Sequence, residues 1–144
     1  MSPAAPITAA TTYPPDAIDE MAAAIQFDAQ GLVPAIAQQH DTGEVLMMAW
    51  MDREAVVETM RTGRVCYWSR SRRVQWRKGD TSGHIQMLID FRVDCDGDAL
   101  LVLVDQTGVA CHTGRHNCFF RAIRGGELET IAPVVIDMDK IGKD

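Results

Sequence analysis

A chain of 144 residues, 47% hydrophobic and 24% charged, has the size and composition of one soluble domain with a real core. Its formal net charge of −6 argues against a general nucleic-acid binder, which needs a broad basic face. No apolar run is long enough to span a bilayer, so a membrane role is excluded and a cytoplasmic address is the default expectation.

Residues 1–15, MSPAAPITAATTYPP, lack the basic start and apolar stretch of a secretory signal and read as a flexible tail. Residues 16–144 are then the single domain. DAIDEMAAAIQF predicts a helix with Asp16 as its cap. GLVPAIAQQ and EVLMMAW predict strands around a turn at Asp41-Thr42-Gly43. DREAVVETMRTG predicts a second helix, capped by Asp52, with an apolar face of Val56, Val57 and Met60 and a stop at Gly63. Six short runs follow that read as strands: RVCYWS, VQWRK, IQMLIDFRVD, ALLVLVDQ, VACHT and CFFRAIR. Gly97-Asp98 and Thr107-Gly108 suit hairpin connections. The closing stretch APVVIDMDKIGKD gives no clear signal. The expected fold is α+β, a mostly antiparallel β-sheet with one or two helices.

Three groups of residues could carry chemistry. Cys95, Cys111 and Cys118 are separated by sixteen and seven positions, which is not a paired zinc-finger spacing. Cys111 and Cys118 nonetheless lie in ACHTGRHNC with His112 and His116, and thiolate with imidazole favours zinc. Buried small hydrophobes are the competing reading. Cys66, in RVCYW, has only apolar company and reads as core. Asp94, Asp96 and Asp98 would share a face of an extended strand, with Cys95 on the other. Such a cluster suits magnesium, and on the residues alone a solvated hairpin turn is the simpler reading. In YWSRSRRVQWRKGDTSGH, Arg forks suit phosphate, Thr81 and Ser82 offer hydroxyls, and Tyr67, Trp68 and Trp76 offer stacking surfaces. An exposed charged ribbon is the alternative there.

The segments AWMDREAVVET, YWSRSR, WRKGDTSGH, DCDGDALL and ACHTG occur in this order over about residues 31–121. As an ordered set they resemble phosphoribosyl-AMP cyclohydrolase, the ring-opening enzyme of histidine biosynthesis. The resemblance implies hydrolysis of the adenine ring between ring nitrogen one and carbon six. The product is the phosphoribosyl-formimino-aminoimidazole carboxamide ribonucleotide. It further implies one zinc per subunit on Cys95, Cys111 and Cys118, shared across a homodimer, and magnesium on Asp94, Asp96 and Asp98. Asp80 stands where relatives commonly carry Glu. Too few residues follow 121 for the pyrophosphohydrolase domain fused in some relatives, so the single-function form is expected. The proton carrier is assigned to His112 first and His84 second. Arg70, Arg72, Lys78, Thr81, Ser82 and Trp76 are assigned to the substrate. The expected partners are a nucleotide and a second copy of the chain, with neither nucleic acid nor membrane. Two other functions fit the same residue types: a zinc purine nucleotide deaminase, and a non-catalytic zinc module binding RNA.

Overall fold

The computed structural model describes residues 10–142, in which a six-stranded sheet, a two-stranded ribbon and two helices are laid out. Helix α1 (Pro15–Ala22) opens with proline at its first turn, where a missing N–H costs nothing. Asp16 lies in that first turn and does not cap it, since the capping position belongs to Pro14. The helix stops well before the predicted Phe27. A tertiary contact wins over helix propensity here: the Gln26 amide donates to the Gly97 carbonyl at 2.7 Å. The tail read at residues 1–15 falls for residues 1–9 outside the described residues. From Thr11 the chain is held, with the Thr11 amide on the Leu88 carbonyl at 2.7 Å and the Tyr13 amide on the Met60 carbonyl at 3.0 Å.

Strands β1 (Val33–Gln39) and β2 (Val45–Met51) pair antiparallel about the expected turn. Val33, Ala35 and Ala37 alternate into the core, as a one-sided strand requires. Helix α2 (Arg53–Thr62) matches its prediction at both ends. Asp52 accepts from the Ala55 amide at 2.8 Å, and Gly63 closes the helix at φ +74°. A Cβ on Gly63 would lie 2.5 Å from that of Ala10, so glycine is required twice over. The buried face is Ala55, Val56, Thr59 and Met60, with Val57 only half-buried. Thr59 earns its place by accepting from the Cys66 amide at 3.0 Å.

Four more strands complete the sheet: β3 (Cys66–Ser69), β4 (Val74–Arg77), β5 (Gln86–Val93) and β6 (Leu100–Gln106). Their order is β4-β3-β2-β1-β6-β5, antiparallel throughout except for the β1–β6 pair. The sheet curls until β5 meets the segment leading into β3. There the Leu88 amide donates to Gly63 at 2.7 Å and the Val65 amide to Gln86 at 3.0 Å. The core inside the curl holds Met51, Tyr67, Leu88, Leu100, Val102 and Val104. Gln86 is fully enclosed there and satisfied. It accepts from the Tyr67 hydroxyl at 2.6 Å and donates to Gln106 Oε1 at 2.8 Å.

The run VACHT is not a strand, nor are the first residues of CFFRAIR. Residues 107–120 form a loop that pairs with itself, the Ala110 amide on the His116 carbonyl at 3.1 Å and the Cys111 amide on Arg115 at 3.2 Å. Gly108 and Gly114, both at positive φ, break the extension that the residue pattern suggests. Thr107-Gly108 therefore opens this loop and makes no hairpin. Beyond it, β7 (Arg121–Arg124) and β8 (Glu127–Thr130) form an exposed ribbon, and Met138–Lys140 make a short 3-10 turn.

Candidate active site

Strand geometry sorts the basic stretch into two faces. Trp68 pairs opposite Trp50, and Arg70, two residues on, lays its guanidinium over the Trp50 ring at 4.7 Å. This face carries a hollow lined by Asp52, Trp68, Arg70 and Arg73. Ser69, at the end of β3, takes the other side, with Ser71 and Arg72 in the turn beyond it. They line a cavity of about 350 Å³ together with Met47, Trp76, Lys78, Cys111, His112, Cys118 and Met138. That volume is within the range of a small-ligand site.

The loop after β6 brings two thiols to this cavity. Cys111 is buried, and its Sγ accepts from the Thr113 hydroxyl at 3.0 Å. Cys118 is tied to the start of β2 by its amide, which donates to the Leu46 carbonyl at 2.8 Å. Burial first, then the adjacent Cys111, pushes the Cys118 thiol up to about 12, while the Lys78 ammonium pulls the other way. Two thiols facing each other beside a cation are a soft donor pair that binds a metal with loss of protons. Because the loop is curled and not extended, His112 lines the same cavity as Cys111.

Lys78 is buried and donates to the His84 carbonyl at 3.3 Å, so its charge is held in place. His84 lies behind the wall, packed on Gly108, where a Cβ would come within 2.3 Å of its ring. Thr81 and Ser82 belong to the turn between Lys78 and His84, with Ser82 Oγ accepting from the His84 amide at 3.1 Å. Of the three candidate stacking aromatics, only Trp76 reaches the cavity. Its ring centroid stands 5.0 Å from that of Tyr67, which is fully enclosed. Cys66 is core as expected, but it has polar company. Burial and then the nearby Glu58 carboxylate drive its thiol well above the ordinary range.

The third thiol is elsewhere. Cys95 is exposed in the Asp94–Ala99 turn that joins β5 to β6. This turn is not extended, so strand alternation does not govern where its side chains point. Asp94 Oδ1 accepts from the amides of Asp98 at 3.0 Å and Ala99 at 3.3 Å. Partial desolvation opposes ionisation of Asp94, but these amides hold its carboxyl below its usual value. The Asp94 charge in turn raises Asp98. Carboxylates crowded in this way favour a hard cation. Between Cys95 and the Cys111–Cys118 pair runs the whole of β6, seven residues or roughly 20 Å at about 3.3 Å per residue. Among the described residues of one chain, no three Cys, His, Asp or Glu side chains converge as a metal-ligand set.

Sequence reasoning missed Ser69, Ser71, Met47, Thr113 and Met138. Ser69 was visible in YWSRSR, since strand alternation puts it opposite to Trp68, whereas Ser71 reaches the cavity from a turn. Met138 carried no signal at all.

A family model described as phosphoribosyl-AMP cyclohydrolase matches residues 47–120. A protein of Rhodospirillum centenum with that name is 65% identical over 124 residues, covering 86% of this chain and 93% of its own. One from Granulibacter bethesdensis, likewise named, is 68% identical over 114 residues, covering 78% and 89%. A third, from Paramagnetospirillum magneticum, is 62% identical over 129 residues, covering 88% and 98%.

Proposed function

Because this chain belongs to the phosphoribosyl-AMP cyclohydrolase family, we propose that it hydrolyses the adenine ring of phosphoribosyl-AMP as a step of histidine biosynthesis. The observation that carries this to particular residues is one cavity walled by two thiols, an imidazole, two cations, two hydroxyls and an indole. Arg72 and Lys78 suit phosphate, with Ser69 and Ser71 as further donors. Trp76 and Met47 present apolar surface for the purine. Arg70 faces the other groove, which leaves the phosphates to Arg72 and Lys78.

The reaction adds water at carbon six, which the ribosyl group on nitrogen one makes electron-poor. A carbon–oxygen bond forms and the bond from carbon six to nitrogen one breaks; of the two protons that water gives up as its oxygen becomes the carboxamide carbonyl, one goes to nitrogen one and the other to the exocyclic nitrogen of the neutral substrate. The exocyclic amine stays as the carboxamide nitrogen, so no ammonia is released. His112, on the cavity wall beside Cys111, is the group assigned to move the proton. His84, held behind Gly108, supports Lys78 through its carbonyl.

Zinc suits Cys111 and Cys118 with Cys95 of a second copy, and when bound it lowers the pKa of a water from about 15.7 to near 7. Magnesium suits Asp94, Asp96 and Asp98, where a divalent charge relieves the repulsion that raises Asp98. A homodimer is supported by the failure of the three thiols to converge within one chain. It is also supported by apolar side chains left in solvent, with Ile123 82% exposed, Leu128 61% and Phe119 55%.

The test is spectroscopic. Zinc-loaded protein with magnesium should change the ultraviolet spectrum of phosphoribosyl-AMP without releasing ammonia, and should leave AMP untouched. AMP lacks both the second phosphate and the substituent that activates carbon six. Ammonia release from AMP would indicate a deaminase. An unchanged spectrum with phosphoribosyl-AMP would remove the proposal.

A further inference from the structure

The last part of the chain lies beyond the residues matched by the family and holds no recognisable motif. It is nevertheless fastened to the loop that carries the thiols. The amides of Val135 and Ile136 both donate to the Gly114 carbonyl, at 2.9 and 3.1 Å. Arg115 Nε donates to the Ala132 carbonyl at 2.9 Å. Gly114 sits at φ +87°, and a Cβ there would come within 2.0 Å of the Ile136 carbonyl oxygen, so any side chain would pry the two segments apart.

From this clamp the strap turns inward. Val134 and Val135 are half exposed, but the Asp137 side chain accepts from the Asp139 amide at 3.0 Å and starts the 3-10 turn. That turn buries Met138, only 6% exposed, in the wall of the cavity beside Cys111, Cys118, Lys78 and Trp76. Behind the strap is a second hollow, lined by His112, Thr113 and residues 134–139. The strap therefore lies between two spaces, and Met138, which lines both, is its one residue in the wall of the space that holds the thiols.

We infer that residues 132–142 form a wall of the nucleotide cleft and that Met138 is a substrate-contacting residue lying against the purine. This rests on the nucleotide reading given above. A thioether on an unbranched stem is polarizable and adapts to an aromatic face. It carries no proton and no charge, so its contribution falls on binding and not on the bond-making step.

The experiment compares wild-type protein with Met138→Ala, Met138→Leu and Met138→Gln. Each is loaded with zinc and assayed with phosphoribosyl-AMP for kcat and KM, with zinc content and thermal midpoint measured alongside. Met138→Ala should raise KM on the order of tenfold, as expected for losing one large apolar contact, with kcat within about twofold. Zinc content should not change, and Met138→Leu should recover most of the loss. Should Met138→Ala lower the thermal midpoint, Met138→Gln keeps the length of the side chain and carries the test, with KM raised and kcat held. A wild-type KM in Met138→Ala or Met138→Gln, or a fall in kcat that tracks lost zinc, would overturn the assignment. Wild-type protein inert toward phosphoribosyl-AMP would instead overturn the nucleotide reading, which separates the two failures.

Discussion

Two inactive variants should rescue each other when mixed. Cys95→Ser and Cys118→Ser each remove one of the three thiols assigned to zinc. Within one chain the turn that holds Cys95 precedes β6 and the loop that holds Cys111 and Cys118 follows it, and no three such ligands converge among the described residues. A single zinc reaches ligands only about 2.3 Å away, so one chain cannot supply all three. In a two-fold dimer each site takes Cys95 from one protomer and Cys111 with Cys118 from the other. Random exchange makes half of the dimers mixed. In a mixed dimer one site carries both lesions and the other carries none. Equal mixing should thus recover about a quarter of wild-type activity and of wild-type zinc. A built-in control uses Cys111→Ser with Cys118→Ser. These two thiols belong to one loop and one cavity, so every site of that mixture is broken and nothing should return. The assay is turnover of phosphoribosyl-AMP after exchange, with mixed dimers counted by native mass spectrometry of two differently tagged chains. Mixed dimers present without recovered activity would refute the shared site, as would full zinc in either variant alone.

Asp94→Asn, Asp96→Asn and Asp98→Asn should each weaken the response to magnesium while zinc content, read by elemental analysis, stays at the wild-type value. Zinc loss in all three would mean that one metal site has been divided into two. Cys66→Ser should keep zinc and kcat, and lose on the order of 1 kcal/mol of stability in urea, because a hydroxyl replaces a thiol in a fully enclosed place. Tyr67→Phe removes the hydroxyl that donates to Gln86 at 2.6 Å and leaves a buried acceptor short of a partner. A loss of about 1–3 kcal/mol is expected by urea unfolding, and an unchanged midpoint would show that Gln86 finds another donor.

Local rules were legible in the sequence wherever a local interaction decides the outcome. Asp52 and Gly63 set the two ends of α2 through one side-chain hydrogen bond and one left-handed residue. The Asp94–Ala99 turn closes on its own backbone and its own Asp94 carboxylate, so it too could be read from composition. Reading failed where a distant group competes or where glycines break the extension that a residue pattern suggests. The predicted extension of α1 to Phe27 loses to the Gly97 carbonyl, and the strand expected at VACHT loses to pairing within its own loop. The strap at residues 132–142 is placed by the Gly114 carbonyl, and no rule of propensity or periodicity connects such positions.

The loop and the turn also change the argument about the metals. Strand alternation would have separated Cys95 from the three aspartates by pointing them to opposite faces. The chain bends at this point, and Gly97 at φ +76° packs so closely that a Cβ would lie 2.8 Å from the Ala24 carbonyl oxygen. Cys95, Asp94, Asp96 and Asp98 therefore travel together on one docked turn. If Cys95 enters the cavity of a second copy, the aspartates must arrive with it. The magnesium assigned to them would then arrive at the partner's cleft with Cys95, so that one docked turn would carry both the hard donors and the third soft one.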